Sequence, residues 1–450
     1  MAEVTKEAEQ PQLKRVIGPG LLLLFVVGDI IGTGVYALTG TVAGRIGGAL
    51  WLPFLLAFAV AFVTAFSYLE LVGKYPRAAG AALYTHKAFG IQFLTFMVAF
   101  TVMSSGITSA SSAAQAFGNT YLRELMGDSL VVPTVWIALG FMVLLAGINF
   151  RGVAESLWAN VVLTIIELTG LLIIIVVGFY AVASGQGEPS RLTEIDTASQ
   201  APWLAISSAT ALAFFAMVGF EDSVNMAEEC REPSRIFPKA MLLGMGIAAA
   251  IYVLVAVTSS LLVPADELAE AKSGALLKVL TAGAPGFPLW VFALIGLLAV
   301  INSALINMLM ASRLVYGMAN ERIIPKVFGT VHPFRRTPWA SILFTTAIAM
   351  VLVATVDITV LGGTTSLLLL IVFTVVNVAV LVLRRDPVEH KHFRAPTALP
   401  VVGAITCAFL ASPLSGRPAR EYGIAAILLG VGLLLWGVNQ LVLRRDRARR

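Results

Sequence analysis

Residues 18–40 read GPGLLLLFVVGDIIGTGVYALTG, and residues 202–229 read PWLAISSATALAFFAMVGFEDSVNMAEE. Each is an apolar run at least as long as a bilayer crossing, about 20 residues. Each is interrupted at its centre. Gly28, Asp29, Gly32, Thr33 and Gly34 break the first; Gly219, Glu221 and Asp222 break the second. Glycine inside a helix costs about 1 kcal/mol, and a carboxylate at mid-membrane costs more. Close helix packing through small residues explains the glycines. It does not explain the acid beside each cluster.

The rest of the chain places these runs in a membrane. Of 450 residues, 58% are hydrophobic and 13% charged, about half the charge of a soluble domain. The mean hydropathy of +0.88 excludes an ordinary soluble enzyme and a disordered chain, and alternating barrel strands give too weak a signal to reach it. The net charge of +5 fits basic cytoplasmic loops rather than nucleic-acid binding. Cys230 and Cys407 support neither a disulfide framework nor a metal site.

Apolar stretches near 18–44, 48–73, 82–118, 132–149, 153–184, 203–229, 238–263, 286–319, 338–357, 360–384, 397–414 and 421–443 predict an all-α polytopic membrane protein with twelve transmembrane helices. The 82–118 and 286–319 runs exceed one perpendicular crossing, so they should tilt or run past the membrane. Segment 319–337 reads as a short amphipathic connector. Residues 1–15 are polar and no small-residue cleavage site follows, so the first run is expected to be a span, not a signal peptide. Of the 31 basic residues, all but seven (Arg45, Arg123, Arg191, Lys272, Lys278, Arg417 and Arg420) fall on one side when the spans alternate. The positive-inside rule makes that side, with both termini, cytoplasmic, and the expected location is the cell membrane.

The two broken runs are spans one and six, so they cross in opposite directions. A five-helix unit repeated upside down gives ten core helices plus two at the C-terminus. The expected organisation is a tail at 1–17, a first repeat at 18–184, a second at 203–384, helices eleven and twelve at 397–443 and a basic tail at 444–450. Broken helices in matching positions of two halves point to a transporter binding site. Unpaired N–H groups at a half-helix start can hold a carboxylate, and unpaired carbonyls can hold a cation. One site with both suits a zwitterion, so the expected partners are an amino acid and the lipid bilayer, with no cofactor, metal or nucleic acid. A monomer or weak homo-oligomer is expected.

Five stretches carry a family resemblance: GDIIGTGVYALTG (28–40), YLELVGKYPRAAGAALY (68–84), FFAMVGFEDSVNMAEECREPSRIFPKA (214–240), SRLVYGMANERIIPKVF with HPFRRTPW (312–328 and 332–339), and LRRDPVEHKHFRAPTALPVVG (383–403). In this order the chain resembles the amino acid–polyamine–organocation superfamily, and within it the cationic amino acid transporter-like bacterial permeases. The resemblance implies a leucine transporter-like 5+5 inverted repeat, alternating access, and symport or exchange. It implies that the substrate carboxylate meets N–H groups around Gly32, Thr33 and Gly34, and that the ammonium meets carbonyls of Ile30, Phe215 and Val218. Phe220 would be an aromatic gate, while Ala216 and Gly219 keep the unwound stretch slim.

Two positions depart from the family. Asp29 stands where a small or neutral residue is more common. In ANVVLTIIELTGLL (159–172), Glu167 falls where related permeases carry a lysine that stands in for sodium. Asp29, Glu167 and Ser303 are therefore the ion-coupling candidates, for a proton first and sodium second. Glu70 is expected to pair with Lys74 or Arg77, and Asp222 to cap the outgoing half of helix six. Asn302, Ser303 and Asn307 suit an ion site or interhelical hydrogen bonds equally. The side-chain lining expected around Tyr36, Met217, Ser104, Ser105 and Val300 is mostly apolar, and Asp29 is the anion that a basic substrate could meet. No H-E-x-x-H, G-x-S-x-G or Walker A run supports an enzyme or a self-contained ATP-driven pump. A polyamine permease and a non-transporting receptor of the same fold are the alternatives.

Overall fold

The computed structural model describes residues 17–76, 80–127, 132–151, 157–195, 201–224 and 230–448. The expected N-terminal tail, Arg77 and residues 225–229 lie outside them. Among the described residues there is no β-strand; one isolated bridge joins Ile17 to Cys230, beside the Arg231 N–H, which donates to the Ile17 carbonyl at 3.0 Å.

Seventeen α-helices follow one another among the described residues. They are α1 (Pro19–Ile30), α2 (Thr33–Ile46), α3 (Trp51–Lys74), α4 (Gly80–Phe89), α5 (Gln92–Ala116), α6 (Leu122–Met126), α7 (Thr134–Arg151), α8 (Leu157–Ala183) and α9 (Pro202–Ala213). After them come α10 (Pro233–Leu262), α11 (Ala265–Ala271), α12 (Ala275–Gly283), α13 (Leu289–Asn320), α14 (Trp339–Thr355), α15 (Ile358–Leu383), α16 (Ala398–Ala411) and α17 (Ala419–Ala448). Prolines open α1, α9 and α10, where a missing N–H costs nothing. The Asp357 carboxylate caps α15 through the Thr359 N–H at 2.9 Å.

Ten segments, among the described residues, are long and apolar enough to cross a membrane; α14 and α16, with 17 and 14 residues, are shorter apolar helices. Each of the twelve predicted runs has a helix at its place. The 82–118 run is not one tilted span. The chain turns at Gly90, whose φ of +66° suits glycine, and divides the run into α4 and α5. Residues 321–338 form turns with one short 3₁₀ helix at Lys326–Gly329 rather than an amphipathic helix. On the opposite side α11 and α12 lie over α2, with the Leu268 and Lys272 carbonyls against Gly40.

Long-range polar contacts tie the helices at both ends. Glu70 does not pair with Lys74, and Arg77, its other expected partner, lies outside the described residues. Glu70 is 2% exposed and accepts from Nε and Nη2 of Arg384, at 2.8 and 2.7 Å, and from the Ala395 N–H at 2.9 Å. A buried carboxylate is best satisfied by a bidentate guanidinium, whereas Lys74 turns to the carbonyls of Leu383 and Asp386. At the other end Glu421 accepts Arg45 and Arg417, each at 2.7 Å. Arg417 also donates to Leu410, Gly363 and Ala211 carbonyls and to Ser366, joining α9, α15, α16 and α17.

Candidate substrate site

Both breaks foreseen in the sequence are present, and they touch. Between α1 and α2, Ile31 and Gly32 leave the helical conformation. After α9 the chain tightens into a 3₁₀ turn at Phe214–Met217, Val218 is extended, and Gly219 has φ +123°. That φ suits glycine alone among the residue types. A Cβ on Gly219 would lie 2.5 Å from the Asp29 carbonyl, and one on Gly34 would lie 2.4 Å from the Ala216 Cα. The Glu221 carboxylate accepts the Gly219 N–H at 2.9 Å, which satisfies a group that the break leaves exposed.

A cavity lies in the cleft between the breaks. Asp29, Ile30, Gly32, Thr33, Gly34, Phe215, Val218, Gly219 and Ser303 all line it. Of the sequence candidates, Ala216, Phe220 and Glu167 are not in this lining. Ala216 packs behind Gly34. Phe220 is buried against Tyr68 and Phe373, with ring centroids 5.8 and 5.3 Å away. Glu167 is buried one layer back, where its carboxylate accepts the Asn302 amide at 3.1 Å; Asn302 itself lines the cavity.

The Ile30 carbonyl already accepts two hydrogen bonds, from the Gly32 N–H at 2.9 Å and the Tyr252 hydroxyl at 2.6 Å. Its two lone pairs are therefore taken. Tyr252 lies on α10 and carried no sequence signal, because only the fold brings it to the break. Ser109, Asn302 and Asn307 also line the cavity. Ser109 belongs to a polar stretch of α5 in which Ser104 and Ser105 look like equal candidates, so the helix rotation decides. Tyr36 is turned away: its hydroxyl donates to the Glu167 carbonyl at 2.6 Å, and its own carbonyl accepts Tyr121 at 2.7 Å.

The cavity communicates with one face of the molecule. Asp29, Asp222 and Ile306 are shared with a vestibule that runs past Phe96, Arg313 and Glu321. Toward the other face the path is packed shut. Tyr36 sits against Phe292 and Tyr121, at 5.9 and 6.4 Å between centroids, and Gly34 abuts Ala216. Asp222, expected as a helix cap, lines both the cavity and the vestibule; residues 225–229, which it would cap, lie outside the described residues.

The chain matches the amino acid permease family over residues 21–432. It belongs to that family. An uncharacterised transporter of Mycobacterium tuberculosis is 28% identical over 97% of this chain and 94% of its own. The methylthioribose transporter of Bacillus subtilis is 26% identical over 96% and 95%. The cationic amino acid transporter 4 of Mus musculus is 28% identical over 83% of this permease and 60% of that protein. The family places the protein among multi-pass membrane transporters and not among enzymes.

Proposed function

We propose that this permease is a secondary transporter that moves an amino acid across the cell membrane by alternating access. The observation that carries this reading is the contact of the two helix breaks around one cavity, lined by Gly32, Thr33 and Gly34 of the first break and by Phe215 and Val218 of the second. The Gly32 N–H is taken by the Ile30 carbonyl, so Thr33 and Gly34 supply the N–H groups and Phe215 and Val218 the carbonyls. That wall chemistry matches a carboxylate and an ammonium held a few ångströms apart. With Ile30 already satisfied, Phe215 and Val218 are the ammonium acceptors. Thr33 adds its hydroxyl on the carboxylate side, and Ser303, lying close to Gly32, completes the rim.

Twelve spans in a 5+5 inverted repeat with two C-terminal helices fit the ten long and two shorter apolar helices. The basic side is cytoplasmic, which makes this conformation inward-open. A cysteine added at the C-terminus, with Cys230 and Cys407 replaced, should react with an impermeant thiol reagent only after cell lysis; labelling of intact cells overturns the orientation. Coupling is to a proton, with sodium as the second choice, through Asp29, Ser303 and, by way of Asn302, Glu167. Purified protein in liposomes should take up a labelled amino acid saturably. Saturable binding without accumulation or exchange would instead make it a receptor.

A further inference from the structure

Three cavities meet at Asp222. It lines the substrate cavity, the vestibule, and a third space behind the second break. This rear cavity lies among α3, α4, α5, α13 and α15. Its polar lining comprises Glu221 and Asp222 with Tyr68, Ser105, Asn307 and Thr365. Among the described residues its lining holds no lysine, arginine or histidine. Among the described residues no basic side chain pairs with either carboxylate. The Tyr68 hydroxyl is a second mark of an incomplete site. Tyr68 is 1% exposed, and its oxygen has no hydrogen-bond partner among the described residues. A buried polar group without a partner is costly, so a ligand that supplies donors is favoured there.

We infer that the rear cavity is the side-chain subsite of this permease and takes a positively charged, hydrogen-bond-donating group, the guanidinium or ammonium of a basic amino acid. The inference rests on the transporter reading and deepens it. Val218, Asp222 and Asn307 line both the substrate cavity and the rear cavity, so a side chain whose backbone lies at the two breaks can pass between these residues. Asp222 then supplies the charge at the entrance. Glu221 shares its carboxylate with the Gly219 N–H, which couples the subsite to the geometry of the break. Tyr68 offers its oxygen at the inner end. The sequence offered Asp29 for this task. Asp29 faces the substrate cavity and the vestibule but not the rear cavity.

The test compares ligands matched in shape. L-Arginine and L-citrulline differ by one charge at the end of the same chain; L-lysine and L-norleucine differ by the ammonium. Each is tested as a competitor of labelled uptake in liposomes and as a stabiliser in thermal shift. Wild type should prefer arginine over citrulline and lysine over norleucine by about tenfold or more, because a site built to bind a polar group rejects the analogue lacking it. Asp222→Asn should remove that preference, and Tyr68→Phe should reduce it. Equal affinity for both members of each pair in wild type overturns the subsite without any variant, as does an Asp222→Asn protein that keeps the preference. Binding of neutral amino acids alone overturns the subsite and leaves the transporter reading standing. Binding of no amino acid overturns both.

Discussion

The α-carbon of Gly219 faces the backbone carbonyl of Asp29 so closely that a Cβ would sit 2.5 Å from that oxygen. The unwound part of one span thus rests on the end of the first half of another. Substitution by alanine should act twice, through this clash and through φ +123°. Strain of this kind costs about 1–3 kcal/mol. Gly219→Ala should lose uptake and unfold at lower temperature, while it still inserts. Wild-type uptake by a correctly inserted variant would detach the break from function.

Gly34 makes the matching contact on the other side of the cavity, 2.4 Å from the Ala216 Cα to a built Cβ. Valine there would also disfavour the helix start through its branched Cβ. Gly34→Val should abolish transport with membrane insertion intact. Because the neighbour is backbone and a small side chain, no rotamer change relieves the clash. Measurable substrate binding by this variant would count against the first-break site.

Glu421 holds two guanidinium groups, and both it and Arg417 have fully buried side chains. Removing one member of a buried pair leaves an uncompensated charge and costs about 3–5 kcal/mol. Glu421→Gln should therefore lower thermal stability in detergent strongly, more than any single surface ion pair. The Lys278–Glu267 pair, whose side chains are 43% and 45% exposed, is the control. Its loss should cost far less, because water screens an exposed pair. Equal effects at the two sites would contradict the difference in burial.

Glu167 reaches the substrate cavity through Asn302, at 3.1 Å. If it couples transport to a proton, an inward pH gradient should drive accumulation in liposomes. Glu167→Gln should lose that drive and keep exchange. A variant that responds to the gradient like wild type would remove Glu167 from coupling. Drive by a sodium gradient alone would favour the second ion.

Glycine and acid clusters in two apolar runs mark both breaks in the sequence, because few other devices stop a helix inside a membrane. Span positions were equally legible, since length and hydropathy are properties of single segments. The sequence also named most of the cavity wall, because wall and break are the same residues. Partners from distant segments were not legible. Tyr252 meets Ile30 across 222 positions, Glu70 takes Arg384 instead of Lys74, and Phe220 turns to Phe373. Hydrogen-bond choice and helix rotation depend on which groups the packed helices leave unsatisfied. Asp222 shows the division most plainly. As a residue it reads as a helix cap, and only the fold shows that three cavities meet at it. The chain by itself determined a permease with two broken spans; tertiary packing decided which oxygens around the breaks remain free to bind.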